Sequence, residues 1–116
     1  ELLPQADVLS LHCLLTDETR DLIGARELKM MKPDSLLINT SRGGLVNEQA
    51  LADALRAGEI GGAGFDVLTE EPPRNGNPLL ADDIPNLIVT PHSAWASREA
   101  RQRIVGITAV NLKSVL

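Results

Sequence analysis

Short aliphatic runs alternate with segments of helical spacing along this chain. Four runs predict β-strands: Val8–Leu11, Leu36–Asn39, Gly62–Val67 and Leu87–Thr90. Their apolar residues are mostly continuous rather than alternating, which is typical of strands buried on both faces of a parallel sheet.

Three helices are predicted between and after these strands. The first covers Ala25–Met31 and must end before Pro33. The second begins after the N-cap candidate Asn47 and ends at Gly58, which suits the position after a helix. The third covers about 97–116, where Gly106 interrupts it at a cost of about 1 kcal/mol. Its expected apolar face consists of Val105, Ala109, Leu112 and Leu116.

The resulting order, β-α-β-α-β-loop-β-α, predicts the α/β class, with a parallel sheet and helices on both of its faces. Ligands of such sheets bind beyond the carboxyl ends of the strands. Polar residues follow each predicted run, namely His12-Cys13, Asn39-Thr40-Ser41-Arg42, Asp66 and Thr90-Pro91-His92. The topology therefore predicts that these residues converge on one edge of the sheet.

Composition narrows the possible classes of protein. The chain has 116 residues and is 43% hydrophobic, which suits one modest domain and excludes disorder. It carries 11 basic and 16 acidic residues, and its only aromatic residues are Phe65 and Trp95, so we expect neither nucleic acid nor a membrane as partner. The single cysteine fits a reducing compartment, and two histidines are too few for a multi-histidine metal site. Because the chain begins at Glu1 within what resembles the tail of a helix, we expect a fragment of a longer protein.

Two of the strand-end residues have side chains suited to catalysis. The planar guanidinium of Arg42, next to Gly43 and Gly44, can bind a carboxylate through two hydrogen bonds, although an ordinary surface arginine in a glycine turn fits the same pattern. His92 would suit a general acid if a nearby carboxylate held its tautomer and raised its pKa. Glu70 and Glu71 are the nearest acids in the preceding loop, and they could equally be solvated charges.

Three further features need weighing. Asp66 follows a strand of small residues, which indicates either a closely approaching ligand or a tightly packed helix. The run Gly62-Ala63-Gly64 is no dinucleotide fingerprint, because its glycines precede the end of a strand instead of opening a helix. Cys13 is not predicted to be a nucleophile, because only the adjacent His12 could activate it.

At these residues the chain resembles the D-isomer-specific 2-hydroxyacid dehydrogenases. The likeness covers essentially the whole chain and is carried by four segments, Leu11–Thr16, Ile38–Glu48, Phe65–Pro72 and Thr90–Ser97. It implies that residues 1–116 form the C-terminal part of a doubly wound parallel-sheet (Rossmann) NAD-binding domain, whose first βαβ unit is absent from this chain. Leu14 departs from the pattern, since many relatives have proline there.

The resemblance also implies roles for individual residues. The catalytic arginine, glutamate and histidine of the family fall on Arg42, Glu71 and His92, and Glu71 is preferred to Glu70 because it directly precedes Pro72. Asp66 matches the aspartate that binds the nicotinamide carboxamide. The full set implied to contact the cofactor is Cys13, Thr40, Ser41, Arg42, Asp66, His92, Ala94 and Trp95.

The implied activity is hydride transfer between a nicotinamide cofactor and a small 2-hydroxy or 2-keto acid in a cytoplasmic homodimer. NAD is the commoner cofactor, and NADP stays open because the ribose-reading residue is not in this chain. The run Ser93–Ser97 resembles the glycerate dehydrogenase or hydroxypyruvate reductase branch. Phosphoglycerate dehydrogenases, broad 2-keto acid reductases and dinucleotide-sensing co-repressors remain alternatives, whereas Glu71 disfavours formate dehydrogenases. The chain by itself is expected to be inactive.

Overall fold

A computed structural model describes residues 1–115 of the chain. The elements in chain order are β1 (Val8–Leu11), α1 (Ala25–Leu28), β2 (Leu36–Asn39), α2 (Glu48–Arg56), β3 (Gly62–Phe65), a 3₁₀ helix (Pro78–Leu80), β4 (Leu87–Val89) and α3 (Arg98–Val115). The placement of Leu116 on the apolar face of the last helix lies outside the described residues.

The four strands form one parallel sheet in the order β1-β2-β3-β4. In its last complete row, Leu11 pairs with Asn39 and Asn39 with Phe65, while Phe65 pairs with Val89. The predicted parallel sheet is therefore confirmed, and the residues that follow each strand lie along one edge.

The hydrophobic core lies on one face of this sheet. Both α1 and α2 contribute to it, through Leu28 from α1 and Leu51 and Leu55 from α2, which pack with Leu37 of β2 and Phe65 of β3. Alternate residues of the strands point the other way, and there Ile88 is 70% exposed. The expectation of helices on both faces is wrong for residues 1–115, because α1 and α2 lie on the same face.

The ends of α2 follow the local sequence. The Asn47 side chain accepts a hydrogen bond from the Ala50 N–H at 2.9 Å, which caps the helix as predicted. Gly58 adopts a left-handed φ of 67° just after the helix, a conformation that glycine adopts without strain. The first helix is shorter than predicted, because after Leu28 the chain continues to Met31 through tighter turn-type hydrogen bonds.

Three other segments differ from the sequence-based expectations. Residues 2–6 form a turn in which the Leu2 carbonyl accepts from the Gln5 and Ala6 N–H groups, so Glu1–Leu3 is not the tail of a helix. The strand β3 ends at Phe65, two residues early, because Asp66 turns its side chain toward the loop that follows β4. The long loop between β3 and β4 contains a 3₁₀ helix that the sequence did not predict.

The final helix, α3, contributes no buried side chain to the described fold. Apolar residues such as Val105 and Val110 are exposed along it. None of the helices within residues 1–115 is long and apolar enough to cross a membrane.

Candidate active site

Two side chains that the sequence singled out in separate loops, Glu71 and His92, meet at the carboxyl edge of the sheet. Nδ1 of His92 lies 2.7 Å from Oε2 of Glu71, and both side chains are only partly exposed, at 42% and 36%. The predicted contact is confirmed. Within residues 1–115 the side chain of Glu70 is exposed and forms no hydrogen bond, so Glu71 and not Glu70 is the acid that contacts His92.

The second carboxylate oxygen of Glu71 is also occupied. Oε1 accepts a hydrogen bond from the Leu68 main-chain N–H at 2.8 Å. Burial raises the pKa of Glu71, but the hydrogen bonds from Leu68 and His92 prevail and hold this pKa below its ordinary value. Glu71 is therefore an anion near neutral pH, oriented by the main chain on one side and by the imidazole on the other.

The loop that carries His92 is tied to the end of β3 by Asp66. This carboxylate is 3% exposed and accepts hydrogen bonds from the Thr90 hydroxyl, from the Ser93 N–H at 2.8 Å and from the Ala94 N–H at 2.9 Å. Burial raises the pKa of Asp66, yet these donors outweigh it and lower the pKa overall. Asp66 thus fixes the loop, and its Oδ2 retains room for one more donor.

The main chain at His92 adopts an uncommon conformation. Its φ of 52° lies in the left-handed region, which costs a residue with a Cβ of the order of 1–2 kcal/mol. The indole Nε1 of Trp95 donates a hydrogen bond to the His92 carbonyl at 2.9 Å and helps to hold this turn. Strained main chain held by its surroundings is common at functional sites.

The turn that presents Arg42 is built on a buried amide. Asn39, fully buried at the end of β2, donates from Nδ2 to the Arg42 carbonyl at 2.9 Å and accepts from the Ser41 N–H at 3.1 Å. The guanidinium is exposed and donates from one nitrogen to the Ser41 carbonyl at 2.7 Å. Its other nitrogens form no hydrogen bond within residues 1–115, so they can bind an anionic group.

The residues predicted to contact a cofactor lie along the same edge. Cys13 is half-buried, and its carbonyl accepts the Ser41 hydroxyl at 2.7 Å, which joins the ends of β1 and β2.

A shallow cavity of about 170 Å³ opens at the ends of β2, β3 and β4. Three of the predicted cofactor residues, Thr40, Asp66 and Ala94, line it together with Ile38, Gly64, Phe65, Ile88 and Thr90. A mostly apolar surface with one buried carboxylate fits a flat carboxamide-bearing ring. Residues 1–115 contain no cluster of side chains able to hold a metal ion.

Sequence reasoning missed the residues that support the Glu71 loop. Oε1 of Glu48 accepts the Thr69 N–H at 2.7 Å, and Oε2 accepts from Nδ2 of Asn77 at 2.7 Å. An acid in the first turn of a helix is ordinarily explained by its favourable interaction with the helix dipole. The position of Glu48 therefore gave no separate signal that it also holds Thr69 and Asn77.

Comparison with known proteins gives concordant results. The family model described as "D-isomer specific 2-hydroxyacid dehydrogenase, NAD binding domain" matches residues 1–94. The glycerate dehydrogenase of Methylorubrum extorquens is 60% identical over 101 residues, which are 87% of this chain and 32% of that protein. The chain thus spans about a third of the length of the curated relatives it matches.

Two solved structures show the same arrangement of the main chain. An acyclic imino acid reductase in complex with NADPH and D-Arg is 38% identical with a TM-score of 0.87, covering 98% of this chain and 36% of that one. The NAD-complexed D-isomer-specific 2-hydroxyacid dehydrogenase of Lactobacillus delbrueckii is 37% identical with a TM-score of 0.83, covering 98% of this chain and 38% of that one.

Proposed function

This chain belongs to the D-isomer-specific 2-hydroxyacid dehydrogenase family, and from that premise we propose that the intact protein interconverts a 2-keto acid and its 2-hydroxy acid with a nicotinamide cofactor. The observation that carries the proposal is the 2.7 Å contact between His92 Nδ1 and Glu71 Oε2 at the ligand-binding edge of the sheet. A carboxylate-bound imidazole of this kind can act as a general acid and a general base. Residues 1–116 are proposed to be the C-terminal part of the dinucleotide-binding domain.

Proton transfer falls to the far nitrogen of His92. Because Nδ1 faces Glu71, Nε2 is the nitrogen free to donate a proton to the C2 oxygen of the keto acid. A bound nicotinamide supplies the hydride that C2 accepts. The two-electron reduction is then balanced, since the carbonyl gains one hydride at carbon and one proton at oxygen. In oxidation, the neutral imidazole takes the proton back, and Glu71 stabilises the resulting positive charge.

Arg42 is proposed to bind the substrate carboxylate. The Asn39 side chain fixes the turn on which Arg42 sits, and a planar guanidinium matches a carboxylate through two parallel hydrogen bonds. A cation at this place also polarises the neighbouring C2 carbonyl.

We propose NAD as the cofactor, with NADP as the alternative. The family model describes an NAD-binding domain, and the two structural relatives hold NAD in one case and NADPH in the other. Asp66 Oδ2 is proposed to accept the carboxamide N–H. The support is that Asp66 lines the strand-end cavity with Thr40 and Ala94, while Ser41 and Trp95 belong to the loops at the same edge.

Glycerate and hydroxypyruvate are the proposed substrate pair. The support is the 60% identity to a glycerate dehydrogenase. We further propose a homodimer in the cytoplasm, to be tested by light scattering and cell fractionation.

The full-length protein should be assayed with NADH and NADPH against hydroxypyruvate, glyoxylate, pyruvate and 3-phosphohydroxypyruvate. We expect the highest kcat/KM with hydroxypyruvate and NADH. A higher kcat/KM with 3-phosphohydroxypyruvate would instead identify the protein as a phosphoglycerate dehydrogenase. Absence of reduction with every acid and both cofactors would overturn the dehydrogenase and favour a dinucleotide-sensing binding protein, provided that NADH still binds.

A further inference from the structure

We propose that Glu48, at the start of α2, is a positioning residue that sets Glu71 against His92. The proposal rests on the function proposed above, and it extends that function to a side chain that contacts neither member of the pair. The relevant connections run through the loop of residues 66–77, which begins at the end of β3 and reaches Asn77, the residue before the 3₁₀ helix.

The first connection is at the main chain next to Glu71. Glu71 takes its orientation from the Leu68 N–H, which Oε1 accepts at 2.8 Å. The next amide, the Thr69 N–H, donates to Glu48 Oε1 at 2.7 Å. Glu48 therefore holds the peptide unit adjacent to the one that holds Glu71.

The second connection is at the far end of the loop. Nδ2 of Asn77 donates to Glu48 Oε2 at 2.7 Å, while Oδ1 of the same amide accepts from the Leu79 N–H at 2.9 Å. Because Asn77 already uses its oxygen as a cap, its amide can offer only a donor to Glu48. Each oxygen of Glu48 thus receives a donor from a different end of the loop.

The third observation is that the main chain of the loop packs directly against Gly43, so the loop cannot move closer to the Arg42 turn. A Cβ added at Gly43 would collide with the main chain of Leu68 and Thr69. Gly43 immediately follows Arg42, so the Arg42 turn and the Glu71 loop are in direct contact. Glu48 holds the loop through hydrogen bonds to Thr69 and Asn77, and Gly43 limits how closely the loop approaches the Arg42 turn. Together these contacts define the position of the Glu71 carboxylate.

A carboxylate is the group this position requires. Two donors converge on it, and an amide in its place would turn an NH₂ group toward either the Thr69 N–H or the Asn77 NH₂. The substitution Glu48→Gln keeps the size of the side chain and removes one of the two loop contacts. We expect the loop to relax and Glu71 to shift relative to His92. Misplacement of a catalytic group by the order of 1 Å can cost about 100-fold in rate, so kcat should fall by about 10- to 100-fold.

The test uses the full-length protein and two readouts. The first is the pH profile of kcat for reduction, which should move to lower pH in Glu48→Gln, because a displaced Glu71 stabilises imidazolium less. The second is an NMR titration of the His92 ring, assigned by comparison with His92→Gln, whose midpoint should shift the same way without any turnover. The matched control is Glu59→Gln, which removes the same charge beyond the opposite end of α2 and should match the parent.

A double-mutant cycle separates positioning from general loss of stability. If Glu48 acts through Glu71, Glu48→Gln should have little further effect on kcat in a Glu71→Gln background. An undiminished loss in that background, or titration and rate profiles of Glu48→Gln that overlay the parent, would overturn the proposal. Should Glu48→Gln not fold, Asn77→Ala removes the Nδ2 donor to Glu48 together with the Oδ1 cap on the Leu79 N–H, and it must shift both midpoints in the same direction.

The two proposals fail in different ways. A parent protein that reduces no 2-keto acid, while the His92 midpoint still shifts in Glu48→Gln, overturns the function and leaves the positioning role standing. An active parent whose Glu48→Gln variant has unchanged profiles overturns only the role of Glu48.

Discussion

At the scale of single residues, the contact between Glu71 and His92 can be tested through its pH dependence. The Glu71 carboxylate, whose pKa is held below its ordinary value, lies 2.7 Å from Nδ1 of His92, so its charge bears directly on the proton that His92 is proposed to transfer. Glu71→Gln removes the charge at nearly constant size. The reductive rate, which needs protonated His92, should then decline at lower pH than in the parent, and the oxidative profile should move in the same direction.

The control for this experiment is the neighbouring acid. Glu70 is exposed and forms no side-chain hydrogen bond within residues 1–115, so Glu70→Gln should reproduce the parent profile. Coincident profiles of Glu71→Gln and the parent would remove Glu71 from the proton-transfer pair.

Arg42 provides a second prediction at this scale. Arg42→Lys keeps the positive charge but loses the planar pair of donors. The loss of a hydrogen bond to a charged group corresponds to about 1.5–3 kcal/mol, so kcat/KM for the keto acid should fall by about 10- to 150-fold. Steady-state kinetics of the full-length protein measure this. The control is Arg26→Lys on α1, whose side chain is 86% exposed and pairs only with the adjacent Glu27, so this variant should match the parent. Equal kinetics in both variants would show that Arg42 does not bind the carboxylate.

At the scale of elements, the glycine after Arg42 determines how two loops fit together. A methyl group at Gly43 would occupy the position of the Leu68–Thr69 main chain, which cannot move aside as a side-chain end can. Gly43→Ala should therefore lower the thermal midpoint and reduce kcat, because the loop that carries Glu71 must shift.

Gly58→Ala is the matched comparison for this substitution. Gly58 has a left-handed φ of 67° but nothing within 4 Å of its missing Cβ, so its replacement costs only main-chain strain of about 1–2 kcal/mol. We expect Gly58→Ala to retain the parent kcat at a slightly lower thermal midpoint. If Gly43→Ala kept both kcat and midpoint, the tight contact between the two loops would not exist.

The strands and helices could be predicted from local sequence signals, whereas the residues of the site could be predicted only in part. Aliphatic runs located all four strands, and capping by Asn47 located α2, because these signals are local. The edge shared by Arg42 and His92 followed from parallel topology alone. The choice of Glu71 over Glu70 needed the family resemblance, since two adjacent loop acids are equivalent until the path of the loop is known.

The supports of the site could not be predicted in the same way. Glu48 meets Thr69 and Asn77 across 21 and 29 positions of sequence, and Asp66 meets Ser93 across 27. No local pattern encodes such separations. The covered face of the sheet was also unpredictable, since the strands are similarly apolar on both sides.

At the scale of the whole molecule, the described chain has one covered and one open face. Ile88 and Leu36 are exposed on the open face of the sheet, and α3 has apolar residues exposed along its length. Monomeric proteins rarely leave extended apolar surfaces in water. The curated relatives are about three times as long as this chain. If residues 1–116 are part of a longer protein, as proposed above, its remaining residues are expected to cover both surfaces.

Stability as a function of pH provides the last prediction, and it concerns Asp66. Its pKa is lowered in the folded state, whereas the unfolded chain has the ordinary value of about 3.9. Between these two values the unfolded state binds more protons, so stability rises with pH there. The contribution of Asp66 is fully present above the unfolded value and is lost as pH falls through the folded value.

Asp66→Asn removes this contribution and turns an NH₂ group toward main-chain donors. It should lower the free energy of unfolding by about 1–3 kcal/mol at neutral pH, with a smaller difference from the parent in acid. Thermal midpoints of the full-length protein across this range measure the effect, with the exposed Asp82→Asn as control. A constant difference between Asp66→Asn and the parent at all pH values would show that the Asp66 carboxylate is not what fastens the His92 loop.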